Sequence, residues 1–194
     1  MACNFITTGR ELACKDSVGG IKAVIFVSNT STNFIDPIEY GSNREILGIN
    51  NNVVGCFKYE LKGTSSLEQT ITASVDNGTL FYEQTLNLTL PKLTALDTKE
   101  IKLLAASRPQ IIVQDYNNNY IIVGLTSGAD VSGGTIVTGT AMGDMSGYTL
   151  TFSAMESEPA AHLQVDDDTN NVLSITGDTA TKTITYFLGY NTAP

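Results

Sequence analysis

The chain has 194 residues but no tryptophan, one histidine (His162), and charged residues at only 16% of its positions. Each shortage removes a class of chemistry. A single histidine excludes a triad with spare partners and any multi-histidine metal site. A cysteine, Cys14 or Cys56, paired with His162 is the remaining nucleophile arrangement, and nothing around either cysteine resembles a nucleophile motif. A small hydrolase therefore lacks its nucleophile-base pair. Without tryptophan, and without a calcium loop or secretory signal, a sugar-binding β-sandwich lacks its stacking platforms and stays open only as a more distant alternative. Three cysteines, Cys3, Cys14 and Cys56, form an odd set with no C-x-x-C spacing, against both a disulfide framework and a zinc knuckle. The longest apolar runs, Ala23 to Val27 and Ile121 to Leu125, are far too short to cross a bilayer, so no membrane partner is expected.

Positive charge is also scarce. Eleven Lys and Arg stand against twenty Asp and Glu, a net charge of -9 with a pI near 4.4. The basic residues read as scattered, so the clustered cations that attract phosphate are missing. An acidic wall serves DNA in the opposite sense, because a channel that repels phosphate lets a duplex slide. Met1-Ala2-Cys3-Asn4-Phe5 shows no basic start before an apolar block, so the expectation is a protein retained in the cell that makes it. The N-x-S/T triplets at Asn29, Asn77 and Asn87 are then expected to stay bare.

Hydrophobic residues at 42% provide for a core, and most of the pattern reads as strand. Ile21 to Val27, rich in β-branched residues, predicts a first buried strand. Phe57 to Lys62 alternates apolar and charged residues. Leu67 to Val75 and Thr79 to Leu90 alternate around Asp76-Asn77-Gly78, a strong hairpin signal. Past Pro91, the positions of Leu93, Leu96, Ile101, Leu103 and Leu104 predict one amphipathic helix, with Asp97 and Glu100 as its cap and Ser107 to Pro109 as its end. Ile111 to Gln114, Asn117-Asn118-Asn119 and Tyr120 to Leu125 predict a second hairpin. Glycine recurs from 124 to 147, but neither G-x-G-x-x-G nor a Gly-Lys-Ser/Thr ending occurs. A strand at Thr135 to Thr138 set between turns is the expectation there, not a phosphate loop and not a cofactor site. Gly147 to Glu156 alternates again, with Tyr148, Leu150 and Phe152 on one face. Glu156 and Glu158, two apart, read as a solvated or channel-facing edge. Asp166-Asp167-Asp168 lacks the spacing of a calcium loop and reads as a solvated turn. Val172 to Thr176 and Lys182 to Leu188 predict a last hairpin around Gly177-Asp178. The class is mainly β: a sandwich or barrel of antiparallel strands with one flanking helix.

This layout of helix, strand, Asn turn, strand, glycine-rich segment and alternating strand includes Gly-Asp-Met-Ser-Gly-Tyr at 143 to 148 and ends at Glu158-Pro159. It resembles the tail tube proteins of tailed bacteriophages and related virion structural proteins. The resemblance covers residues 1 to about 162, is best between 91 and 159, and leaves 163–194 as a C-terminal hairpin or arm. It implies no enzyme and no cofactor. It implies two packed β-sheets, hexameric rings that stack, inner sheets joined into a barrel through which DNA passes without specific binding, and contacts with other tail proteins. The protein would be made in the bacterial host cytoplasm and reside in the virion tail. Head-to-tail connector, tail terminator and baseplate proteins share related folds and stay open as alternatives. Under this reading the hairpin at Asn77-Gly78 or the loop from Gly128 to Gly147 reaches a neighbouring ring, and the helix at 97 to 106 lies outside. Gly147, Tyr148 and Phe152 support the fold. Glu60, Glu68, Glu83, Asp115 and Glu156 are the candidate lumen-lining residues.

Overall fold

Two kinds of apolar pattern, continuous and alternating, build the molecule's two main sheets. The computed structural model describes residues 10, 15, 17–29, 39–40, 45–48, 53–163, 174–177 and 180–183, with backbone alone at 28–29, 39–40, 47–48, 53–56, 174–177 and 180–183. Its elements run β1 (Ile21–Asn29), β2 (Glu39–Tyr40), β3 (Ile46–Gly48), β4 (Val53–Glu60), β5 (Ser66–Ser74), β6 (Thr79–Pro91), α1 (Ala95–Ala106), β7 (Gln110–Asp115), β8 (Tyr120–Val123), β9 (Asp130–Val137), β10 (Gly147–Glu156), β11 (His162–Leu163), β12 (Ser174–Gly177) and β13 (Ala180–Thr183). The uninterrupted apolar runs β1, β7 and β8 form the middle of the first sheet, ordered β2-β3-β11-β8-β7-β1-β4, with the alternating β4 at its edge. Pairing there is antiparallel except between β3 and β11. The alternating runs form the second sheet, β5-β6-β10-β9, antiparallel throughout. Cys3, Cys14 and the Asp166 to Asp168 run lie outside the described residues, as do the side chains of Asn29 and Cys56.

The sheets pack face to face as a β-sandwich. Val24, Phe26, Ile111, Val113 and Val123 of the first meet Leu86, Leu88, Tyr148, Leu150 and Phe152 of the second in one cluster. Phe26 stands edge-on to Tyr59 at 5.3 Å and tilted against Phe152 at 5.6 Å between ring centroids. Burying each of the larger side chains contributes about 1.5–3 kcal/mol. Ile25, Val27, Ile112 and Ile122, on the reverse of the first sheet, are buried too, which is why β1, β7 and β8 read as continuous apolar runs.

Helix α1 closes one side of this core. Its start corrects the expected cap: Thr94 is the N-cap, its hydroxyl accepting Asp97 N–H at 3.0 Å and donating to the Asp97 carboxylate at 2.6 Å. The inward face is Asp97, Glu100, Ile101 and Leu104, whereas Leu96 and Leu103 are each 55% exposed. The expected stripe was too wide: of its apolar positions only Ile101 is buried and Leu93 and Leu104 half-buried, while Leu96 and Leu103 find no cover. Burial pushes the Tyr59 hydroxyl above its ordinary pKa, and the nearby Glu100 and Asp97 push it further.

The first two expected hairpins form. Around Asn77-Gly78 the pairing runs from Ser66 with Asn87 to Ser74 with Thr79. The connection has four residues, 75 to 78, with only Gly78 at positive φ (+62°), rather than the two-residue turn that Asn-Gly favours. The glycine-rich segment holds a longer strand than expected. β9 begins at Asp130 rather than Thr135, because Gly134 lets the backbone approach the Thr149 carbonyl oxygen where a Cβ would stand 2.5 Å away. Leu163, the first residue of the expected extension, pairs with Tyr120 and Ile46 in the first sheet and is buried. The last hairpin is β12 with β13, Ser174 opposite Thr183, where Val172 to Thr176 and Lys182 to Leu188 were expected; 172–173 and 184–188 lie outside the described residues.

Candidate functional site

Alternation in the second sheet sends one set of side chains to the core and leaves the other on an open face. Gln84, Leu86 and Leu88 of β6 and Tyr148, Leu150, Phe152 and Ala154 of β10 point inward. Gln84 accepts the Gly124 N–H at 3.0 Å from that buried position. The opposite face carries Glu68, Thr70 and Thr72 from β5; Phe81, Glu83, Thr85, Asn87 and Thr89 from β6; Thr149, Thr151, Ser153 and Met155 from β10; and Asp130, Thr135 and Val137 from β9, as the paired register requires. Hydroxyls bridge the strands here. Thr135 and Thr149 lie 2.6 Å apart and Thr151 donates to Asn87 Oδ1 at 2.9 Å.

None of these four strands contains a lysine or an arginine. Of their acids, Asp130 is held by Arg108 at 2.7 Å and Glu156 turns inward. Glu68 and Glu83 therefore set the sign of the face, as diagonal neighbours across the β5–β6 pair. The outer strands, β5 and β9, have no further strand beside them among the described residues. Each presents a row of backbone donors and acceptors. Beyond Tyr82 the β5–β6 hairpin outruns β10, and its core-side residues lose their cover: Ile71 is 65% and Val75 97% exposed.

The five acidic candidates thus separate. Glu68 and Glu83 share the open face. Glu60 lies on β4, at the edge of the other sheet, 3.7 Å from Lys58. Asp115 organises the β7–β8 turn: its carboxylate accepts Asn119 N–H at 2.7 Å, Asn119 Nδ2 at 2.8 Å and Asn117 Nδ2 at 3.3 Å, while Asn118 takes φ +61°. Burial opposes ionisation there, but the hydrogen bonds from Asn119 and Asn117 prevail and hold the carboxyl below its ordinary value. Glu156 is 7% exposed and accepts the N–H groups of Thr126 and Ser127, each at 2.9 Å, so it clamps the loop before β9 instead of facing solvent. Its phase with Tyr148, Leu150, Phe152 and Ala154 assigns it inward, a signal already in the sequence.

A second legible signal concerns the cations. They are not scattered: no Lys or Arg occurs in 63–91 or in 109–181, and the open sheet face is built from those stretches. At the assembly positions, Tyr148 and Phe152 are fully buried, and Asn77 and Gly78 are exposed at the hairpin tip. A Cβ at Gly147 would collide with the Leu90 carbonyl oxygen. In the Gly143 to Tyr148 segment, Asp144 accepts the N–H groups of Ala141 at 2.7 Å and Thr140 at 2.9 Å, which lowers its pKa.

Among the described residues no three His, Cys, Asp or Glu side chains gather as a metal site. No helix among the described residues is long and apolar enough to cross a membrane. No family model, curated protein or solved structure matches the chain.

Proposed function

We propose that this chain is a structural subunit of a phage virion, of the tail tube type, whose copies form stacked hexameric rings around a passage for DNA. The observation that carries this reading is the open face of β5-β6-β10-β9: rich in hydroxyls, acidic at Glu68 and Glu83, and with no lysine or arginine on its strands, the neighbouring Arg108 being paired with Asp130. Phosphate binding draws on lysine and arginine. A face lacking both repels the duplex and leaves it free to move.

The sheet's order supports closure into a ring. Four antiparallel strands per copy alternate down and up, so β9 of one copy meets β5 of the next in the antiparallel sense and the alternation continues around the circle. Six such sheets, at strand spacings of ~4.8 Å and tilts of ~40°, close at a backbone diameter of roughly 45–50 Å. A double helix passes through such an opening. Stacked rings and other tail proteins would meet the ends of the barrel, where the projecting β5–β6 hairpin and the 138–146 loop lie.

Negative-stain microscopy and light scattering of the purified protein test the reading. Rings or tubes are the expected outcome. A stable monomer at high concentration after prolonged incubation overturns it, and isolated rings that never stack favour a connector or terminator of the same fold.

A further inference from the structure

The hairpin tip carries the chain's single Asn-Gly dipeptide, Asn77-Gly78, in a setting that exposes it to intramolecular attack. We infer that Asn77 is a site of spontaneous deamidation, which turns the tip of the β5–β6 hairpin more acidic as the protein ages. In this reaction the backbone nitrogen of residue 78 attacks the side-chain carbonyl carbon of Asn77. The new C–N bond closes a five-membered succinimide, and the C–NH₂ bond breaks to release ammonia. Water then opens the ring at either carbonyl, giving aspartate or isoaspartate with no change of oxidation state.

Three features of the turn favour that path. Gly78 has no side chain to hinder approach of its nitrogen, and nothing lies within 4 Å of where its Cβ would be. Its N–H is held only by a long hydrogen bond, 3.3 Å to the Val75 carbonyl oxygen. The Asn77 side-chain amide makes no hydrogen bond among the described residues, and both residues are exposed. Asn87 supplies the contrast. It is exposed as well, yet it sits inside β6 between Ser66 and Thr151, its side-chain oxygen accepts the Thr151 hydroxyl at 2.9 Å, and bulky Leu88 follows it. Exposure alone therefore does not set the difference.

The change replaces a neutral tip residue by a carboxylate beside Asp76, next to the 97% exposed Val75. Isoaspartate also adds a methylene to the turn backbone. The nine residue pairs from Ser66 to Ser74 hold the strands in register, so the fold persists while the tip changes.

The test is to incubate the full folded chain at mildly alkaline pH and follow the tryptic peptide from Gly63 to Lys92, which contains both asparagines, by chromatography and fragmentation mass spectrometry against a sample taken at the start. The expected result is an amide-to-acid mass gain that accumulates at Asn77, split between aspartate and isoaspartate forms, with Asn87 intact. Asn77→Gln should remain folded and show no gain in the same period. Conversion at Asn87 as fast as at Asn77, or a folded protein that keeps Asn77 intact while the isolated peptide converts, overturns the inference. The readout is a mass and does not depend on assembly.

Discussion

Tyr148 joins helix to sheet. Its ring is fully buried, opposite Leu90 on the neighbouring strand, and its hydroxyl lies 2.6 Å from that of Thr98 and 3.0 Å from the Thr94 carbonyl oxygen. Tyr148→Phe keeps the ring and loses the hydroxyl, an expected cost of about 1 kcal/mol, seen as a melting temperature lower by roughly 2–4 °C. Tyr148→Asp places an unpaired carboxyl in the core at several kcal/mol, comparable with a whole domain's ~5–15 kcal/mol, and should yield no folded protein. An unchanged melting temperature for Tyr148→Asp would refute the register of β10. Gly147→Val should fail as well, through collision with the Leu90 carbonyl. The inward phase of Tyr148 was legible from alternation, whereas the demand for glycine at 147 was not, because its cause sits on β6, far away in sequence. Glu156→Ala strips two backbone donors of a buried charged acceptor, at about 1.5–3 kcal/mol or more in urea unfolding; Glu156→Gln, which keeps one acceptor oxygen, should lose less.

Among the elements, the hairpins were the most readable because turn chemistry is local. Asn77-Gly78 and Asn117 to Asn119 each announced a reversal, and both reversals form. What the pattern missed was set by distant partners. Leu96 and Leu103 look like core residues on a helical projection but find no sheet opposite them. Asp115 looked like one of a row of channel acids, yet its oxygens are taken up by the turn that follows it. That turn should respond to acid. The folded carboxyl of Asp115 titrates below the ordinary value of 3.8, so its contribution to stability is present above that value and is lost as pH falls through the lower folded pKa. Solvent screening at this half-exposed site keeps the effect small. Melting temperatures of the parent and Asp115→Asn should differ near neutrality and converge in strong acid. A constant gap down to the lowest pH would show that the hydrogen bonds of the turn do not depend on the charge.

At the scale of the whole molecule, charge is sorted rather than merely negative. Lys92, Lys99 and Lys102 lie on or beside α1, while the open face of the second sheet holds Glu68 and Glu83 with no cation on its strands. In the proposed ring, six copies at -9 each would carry -54, and at a screening length of ~8–10 Å only charges near the passage would act on a duplex inside it. The two glutamates, not the total, should therefore govern how DNA moves. Replacing both, Glu68→Lys with Glu83→Lys, changes exposed or half-exposed side chains and leaves the packed face untouched, so rings should still form. Six copies of the variant would line the passage with twelve lysines in place of twelve carboxylates. DNA should then be retained in low salt and released as salt rises, the signature of phosphate contacts. Glu60→Lys, on the edge of the other sheet, should leave retention unchanged. Microscopy for assembly and a salt-dependent DNA retention assay on the same preparations provide both readouts. If Glu60→Lys retains DNA and the Glu68, Glu83 pair does not, another surface lines the passage and the open face of the second sheet has a different role.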